Sequence, residues 1–156
     1  MGQLDITNDH PDAGKFLPHQ FEPGQAFDLI ICDGQVLRHH DRATYREHRE
    51  ASRLTLTQLA LGSEHVKLGR TMIVLRHKVE SPHTVRLLHA STNFASVPLF
   101  KHPRFHAKRS SFYVLATNIR NGCPEAAVAI QGWKRLWEIV GDCNVRDGRY
   151  VQSSAS

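Results

Sequence analysis

Two polar side chains with complementary chemistry follow short apolar runs, at points where strands are expected to end. Asp33 follows the run at 27–32, Lys78 follows the run at 71–77, and Asp5 lies in a shorter candidate strand near the N-terminus. Because ligands bind beyond the carboxyl ends of strands in an open parallel sheet, these residues are candidates for a polar site. A desolvated lysine held by a carboxylate can take up a proton near neutral pH. The alternative interpretation is ordinary turn chemistry, since acidic residues are common where strands end.

The apolar periodicity around these residues predicts four strands and three helices. The predicted strands are 27–32, 71–77, 96–100 and 111–117, and the predicted helices are 41–61, 81–91 and 125–140. Asp41 is a candidate N-cap of the first helix, Gly62 ends it, and Pro82 suits the first turn of the second. The continuous apolar run at 27–32 indicates a strand buried on both faces, as in a parallel sheet. Strands alternating with helices predict an α/β fold with right-handed crossovers.

The composition is that of one soluble globular domain. Of 156 residues, 40% are hydrophobic and 22% charged, and no apolar run approaches the ~20 residues that span a bilayer. The three cysteines have no CxxC spacing, which favours reduced thiols and an intracellular location, without distinguishing cytoplasm, nucleus and mitochondrion. The net charge of +5 and the pI of about 9.4 favour a polyanionic partner.

Five stretches of the sequence are distinctive in their order and spacing. They are 4–7 (LDIT), 27–34 (FDLIICDG), 71–79 (TMIVLRHKV), 100–103 (FKHP) and 107–116 (AKRSSFYVLA). Together these stretches resemble motifs of the FtsJ family of ribose 2′-O-methyltransferases. The stretch CDGQVLR at 32–38 resembles the fungal FtsJ-like proteins in particular. The resemblance covers roughly residues 4–140.

The resemblance implies a Rossmann-like S-adenosylmethionine methyltransferase sheet whose last strand is antiparallel. It implies catalytic roles for Asp33 and Lys78, at the ends of successive strands. Asp5 would recognise the adenine of S-adenosylmethionine, and Asp33 would lie near its sulfonium. The expected activity is RNA methylation, with ribosomal RNA as a candidate substrate. The implied RNA-binding residues are Lys101, Arg104, Lys108 and Arg109.

The sequence also departs from the family pattern. The ten glycines are scattered and form no glycine-rich cofactor loop, and the family's other catalytic lysine would fall before Met1. Ser111 stands where the family has a glutamate, and Leu68-Gly69-Arg70 stands in place of its Pro-Gly-Gly turn. A second alignment places Leu75 in the position of the catalytic lysine, on the opposite face of the strand.

These departures predict an incomplete domain, because the elements supply only one wing of a doubly wound sheet. We expect an irregular segment at 1–26, a partial FtsJ-like domain at 27–140 and a flexible tail at 141–156. Such a chain would be a fragment, a shortened gene product or a degenerate descendant, with weak affinity for S-adenosylmethionine. Three functions stay open: a methyltransferase, a non-catalytic RNA-binding module on the same half-sheet, and an unrelated α/β protein.

Other candidate sites are weaker. Eleven histidines are present, but no cysteine or carboxylate completes a four-ligand zinc set, so we expect no metal. Cys32 is expected to be buried and inert, because no base is placed beside it. Trp133 and Trp137 have the helical spacing of core residues. The arginines of the first predicted helix form a face that we expect to be solvated, with RNA contact as the alternative.

Overall fold

The computed structural model describes residues 21–35, 50–104 and 108–141. The predicted elements occur in the predicted order: β1 Phe27–Cys32, α1 Glu50–His65, β2 Val66–His77, α2 Pro82–Thr92, β3 Leu99–Phe100, β4 Ser111–Ala116 and α3 Pro124–Gly141. The strand β2 begins at Val66 rather than at 71, and β3 has only two residues. Asp5, Asp41 and most of the predicted irregular N-terminal segment and flexible tail lie outside the described residues.

The strands form one four-stranded sheet in the order β1-β2-β4-β3. The first pair is parallel, since α1 carries the chain back across the sheet between them, and β4 is antiparallel to both of its neighbours. The prediction of an α/β fold with an antiparallel last strand is therefore confirmed. Because of these directions, the carboxyl ends of β1, β2 and β3 and the amino end of β4 meet at one end of the sheet.

The core lies on the face of the sheet that the helices cover. All three helices contribute to one buried cluster with alternate residues of the three longer strands. Phe94 is fully buried between α2 and β3, and its ring meets the ring of Trp133 edge to face, with 6.3 Å between centroids. Trp133 itself is only 6% exposed, which confirms its predicted place in the core. The main sheet residues of the cluster are Cys32, Met72, Val74, Phe112, Val114 and Ala116.

The other face of β1 is exposed, so the prediction that this strand is buried on both faces is wrong. Leu29 and Ile31 are 52% and 62% exposed, whereas Cys32, which points to the helices, is 5% exposed. The reason is the position of β1 in the sheet. Among the described residues, β1 pairs only with β2, and the helices pack on a single face.

A partly buried ion pair and a ring contact join α1 to α3. Lys134 Nζ lies 2.6 Å from Glu64 Oε1, and the lysine side chain is only 9% exposed. The guanidinium carbon of Arg53 stands 4.2 Å from the ring centroid of Trp137, at cation–π distance. Arg53 is thus half-buried against an aromatic ring rather than fully solvated.

The helix α1 does not end at Gly62 as predicted. It continues to His65 and passes directly into β2, and Gly62 lies at the point where the helix packs closest to the sheet. A Cβ at this position would lie 2.9 Å from Met72 Sδ and 3.2 Å from both Cys32 Sγ and Ile30 Cγ2. The glycine allows this close approach, because a methyl group there would force the neighbouring side chains, Met72 above all, to shift.

We expect Gly62→Ala to lower the free energy of unfolding by about 1–3 kcal/mol, the usual effect of overpacking a core. Gly132, inside α3, is the matched control because a Cβ there meets nothing within 4 Å. Gly132→Ala should raise stability by about 0.5–1 kcal/mol, since alanine favours helix. Thermal denaturation followed by circular dichroism measures both changes. A Gly62→Ala protein as stable as the wild type would contradict the close packing of α1.

Candidate functional site

Every described residue of the predicted site lies at the same end of the sheet. Asp33 follows β1 and Lys78 follows β2, while the basic residues belong to the segment between β3 and β4. All of these side chains are exposed. We call the cationic members, which are Lys78, Lys101, Arg104, Lys108 and Arg109, the basic rim. Asp5 lies outside the described residues, so its predicted contact with adenine stays a prediction.

The backbone register does not place Lys78 beside Asp33. The last pair between β1 and β2 is Cys32 with Val74, so the register carried one residue further sets Asp33 beside Leu75. Lys78 follows three residues later, about 10 Å further along the direction of β2. The contact between the Asp33 and Lys78 side chains stays a prediction.

The backbone of Lys78 is fixed against the start of β4. Its N–H donates to the carbonyl of Ser110 at 3.1 Å, and its own carbonyl accepts from the N–H of Ser81 at 3.0 Å. Its φ of 54° lies in the left-handed region, which costs a residue other than glycine about 1 kcal/mol. These two hydrogen bonds offset that cost. Ser110 directly follows Arg109, so this hydrogen bond holds the backbone of Lys78 close to that of Arg109, within the basic rim.

The chain after β1 is held by a side chain of α1 that the sequence did not single out. Gln58 accepts from the N–H of Gly34 at 3.1 Å and donates to the carbonyl of Gly34 at 3.2 Å. A Cβ on Gly34 would overlap the amide of Gln58, so only glycine allows this pair of bonds. The Asp-Gly pair at 33–34 was a signal for a turn, but nothing local indicated its partner. The clamp fixes the backbone immediately after Asp33.

Cys32, the last residue of β1, is buried as predicted. Its Sγ donates to the carbonyl of Gln58 at 3.4 Å, and burial raises the pKa of the thiol to about 12. A thiol with such a pKa stays protonated at neutral pH, so it is a poor nucleophile. Within the described residues, no group of three or more histidines, cysteines and acids could hold a metal ion.

An apolar cavity of about 300 Å³ lies against β1 and the inner side of α1. Phe21, Phe27 and Ile31 line it, and Gln58 and His65 are among its few polar neighbours. The cavity reaches the clamp at the carboxyl end of β1, and most of its lining is apolar. An apolar group, rather than a charged one, fits this lining.

Comparison with protein-family models gives no match to this chain, and a search of curated proteins finds no similar sequence. Across the part of the chain that the structure describes, no helix combines the length and apolar character needed to cross a membrane.

Gln58→Leu should free the backbone after Asp33 while keeping the bulk of the side chain. Each net hydrogen bond contributes about 0.5–1.5 kcal/mol, so we expect the amide of Gly34 to exchange its hydrogen roughly tenfold faster. Native-state hydrogen exchange resolved by NMR measures this rate. Gln131→Leu, on the exposed surface of α3, is the control and should leave the rate unchanged. Equal rates in Gln58→Leu and the wild type would show that the clamp does not hold this segment.

The raised pKa of Cys32 predicts a distinct pH profile for alkylation. With a pKa of about 12, the thiolate fraction at pH 8 is on the order of one in ten thousand, and it grows tenfold per pH unit up to pH 10. An ordinary thiol instead levels off above its pKa of about 8.5. Iodoacetamide labelling, read at the Cys32 peptide by mass spectrometry, distinguishes the two, with urea-unfolded protein as the control. A rate that levels off near pH 9 in the folded protein would contradict the assigned burial.

Proposed function

We propose that this chain provides the catalytic and RNA-binding end of an S-adenosylmethionine-dependent RNA 2′-O-methyltransferase of the FtsJ type. One observation carries the proposal. Residues that are distant in sequence, an acid after β1, a lysine after β2 and the basic segment before β4, meet at a single sheet end. The antiparallel β4, lying between β2 and β3, is what brings the basic segment to that end.

The chemistry of these side chains suits the proposed reaction. A ribose 2′-hydroxyl becomes a useful nucleophile when a nearby base accepts its proton. Lys78 would accept that proton, and Asp33 would supply negative charge near the positive methyl donor. The exposed cations of the basic rim would hold the RNA phosphates in position. Positioning and electrostatics are the main contributions that a protein makes to such a transfer.

The residues present fit S-adenosylmethionine only in part. This cofactor would supply an already activated methyl group. Asp33 stands at the carboxyl end of a parallel strand, which is the usual place for a ligand in an open α/β sheet. The ten glycines are scattered along the sequence and form no glycine-rich cluster, so the sequence offers no cradle of that type for the rest of the cofactor. We therefore expect the isolated chain to bind S-adenosylmethionine more weakly than about 100 µM.

A second candidate function is RNA binding without catalysis. Two observations favour it: the register that sets Leu75 rather than Lys78 beside Asp33, and the burial of Ser111. Ser111 is 2% exposed and stands where the family has a glutamate, so no negative charge is available there. In this case Lys78 would bind phosphate as part of the basic rim rather than activate a hydroxyl.

Methyl transfer to unmodified transcribed RNA, measured with isotopically labelled S-adenosylmethionine at millimolar concentration, tests the first function. We expect a slow transfer that falls at least about 100-fold in Asp33→Asn and in Lys78→Ala, as for a general base. Lys67→Ala is the control, because Lys67 contacts Asp28 at the opposite end of β2. RNA affinity is measured in parallel on the same variants.

The parallel measurement separates the two candidates. RNA binding by the wild type without any transfer, together with a small effect of Lys78→Ala on affinity, would favour the non-catalytic module. Transfer that survives in Lys78→Ala would remove this lysine from the reaction. Micromolar affinity for S-adenosylmethionine in calorimetric titration would contradict the prediction that the chain binds this cofactor weakly for want of a glycine-rich cradle.

A further inference from the structure

We propose that Phe100 is a stacking platform for a base of single-stranded RNA, with the basic rim holding the phosphates on either side. The inference rests on the proposed function in so far as both require RNA at this end of the sheet. It goes further by naming the form of the RNA and the side chain that would select it. Phe100 ends β3, is 46% exposed, and precedes Lys101 directly.

Phe100 belongs to a row that crosses the whole sheet at one level. Phe100 pairs with Tyr113 and Tyr113 pairs with Leu75, and the register continued by one residue reaches Asp33 beside Leu75. Directly opposed residues point to the same face, and this face is the one opposite the helices, because the adjacent Val74–Val114 pair is buried beneath them. At about 4.8 Å per strand, the row extends roughly 14 Å from the aromatic end to the acid.

The charges lie beyond this row toward the strand ends, Lys101 by one residue, Lys78 by three and Arg109 by four. Lys101 follows Phe100, Arg109 precedes the start of β4, and Lys78 is bonded through its backbone to Ser110. An RNA strand that crosses the strand ends would thus meet cations on its phosphate side and the row of side chains on its base side. The RRM, a common RNA-binding module, uses aromatic residues on the exposed face of a four-stranded sheet to stack two or three bases.

The exposed ring favours a single strand over a duplex. In a duplex both faces of each base are already stacked, so an exposed phenylalanine gains nothing from contact with it. A single strand offers unstacked bases, and stacking on an aromatic side chain strengthens binding about 5- to 150-fold per base. The ring of His102, edge-on to Phe100 with 6.4 Å between centroids, supports one edge and leaves the exposed part of the ring accessible.

Fluorescence anisotropy with a labelled ten-nucleotide RNA of mixed sequence, alone and annealed to its complement, tests the inference on the full chain. Phe100→Leu keeps an apolar side chain but removes the ring, and we expect it to weaken single-strand binding at least about fivefold. Phe100→Tyr should restore it. Val128→Ala is the surface control, because Val128 is 73% exposed on α3. Thermal denaturation verifies that each variant is folded.

The salt dependence separates stacking from charge. On a single strand, each phosphate contact contributes about 0.7 to the slope of log affinity against log salt concentration. Arg109→Gln should therefore reduce that slope, whereas Phe100→Leu should weaken binding at an unchanged slope. Arg135→Gln, on the exposed side of α3, is the control for charge and should change neither.

The outcomes distinguish this inference from the proposed function. Unchanged affinity in Phe100→Leu, or a duplex bound as tightly as the single strand, overturns the stacking platform and leaves the methyltransferase proposal standing. A wild-type chain that binds neither RNA at low salt overturns both. Weaker single-strand binding in Phe100→Leu, restored in Phe100→Tyr at the same salt slope, supports the platform.

Discussion

The close packing of α1 against β1 and β2 is the constraint on which the rest of the structure depends. The helix passes into β2 without a connecting loop, so its position determines how far β2 extends past β1. Gly62 permits the contact, and Gln58, one turn earlier on the same side of the helix, clamps the chain after β1. A single helix therefore sets both the register of the parallel pair and the backbone beside Asp33.

That register has a direct consequence for chemistry. An acid and an amine at successive strand ends can share a proton only if their side chains meet, and Lys78 lies three residues past the level of Asp33, just after β2 ends. The backbone of Lys78 is bonded instead to the start of β4. The two proposed functions therefore assign this lysine different roles, hydroxyl activation beside Asp33 in a methyltransferase and phosphate binding beside Arg109 in a non-catalytic module.

The face of the sheet opposite the helices is open near the end that carries Asp33 and the basic rim. Where a doubly wound sheet has helices on both faces, the described part of this chain has them on one, which leaves Leu29, Ile31 and Phe100 accessible. Near the rim, this open face combines aromatic and cationic side chains, which is the combination that single-stranded nucleic acids require. The proposed RNA binding does not require the proposed catalysis, because contacts between the basic rim and phosphates do not depend on the distance between Asp33 and Lys78.

The sequence by itself determined the order and approximate positions of the helices and strands, the parallel pairing expected across α1, and the basic segment before β4. These features are local: apolar periodicity, turn residues and charge can be read over a few positions. Only the tertiary structure decided the register of β1 against β2, the exposure of Leu29 and Ile31, and the roles of Gly62 and Gln58. Each of these depends on how a helix packs onto strands distant in sequence, and no local pattern encodes the depth of that packing or which face of the sheet it covers.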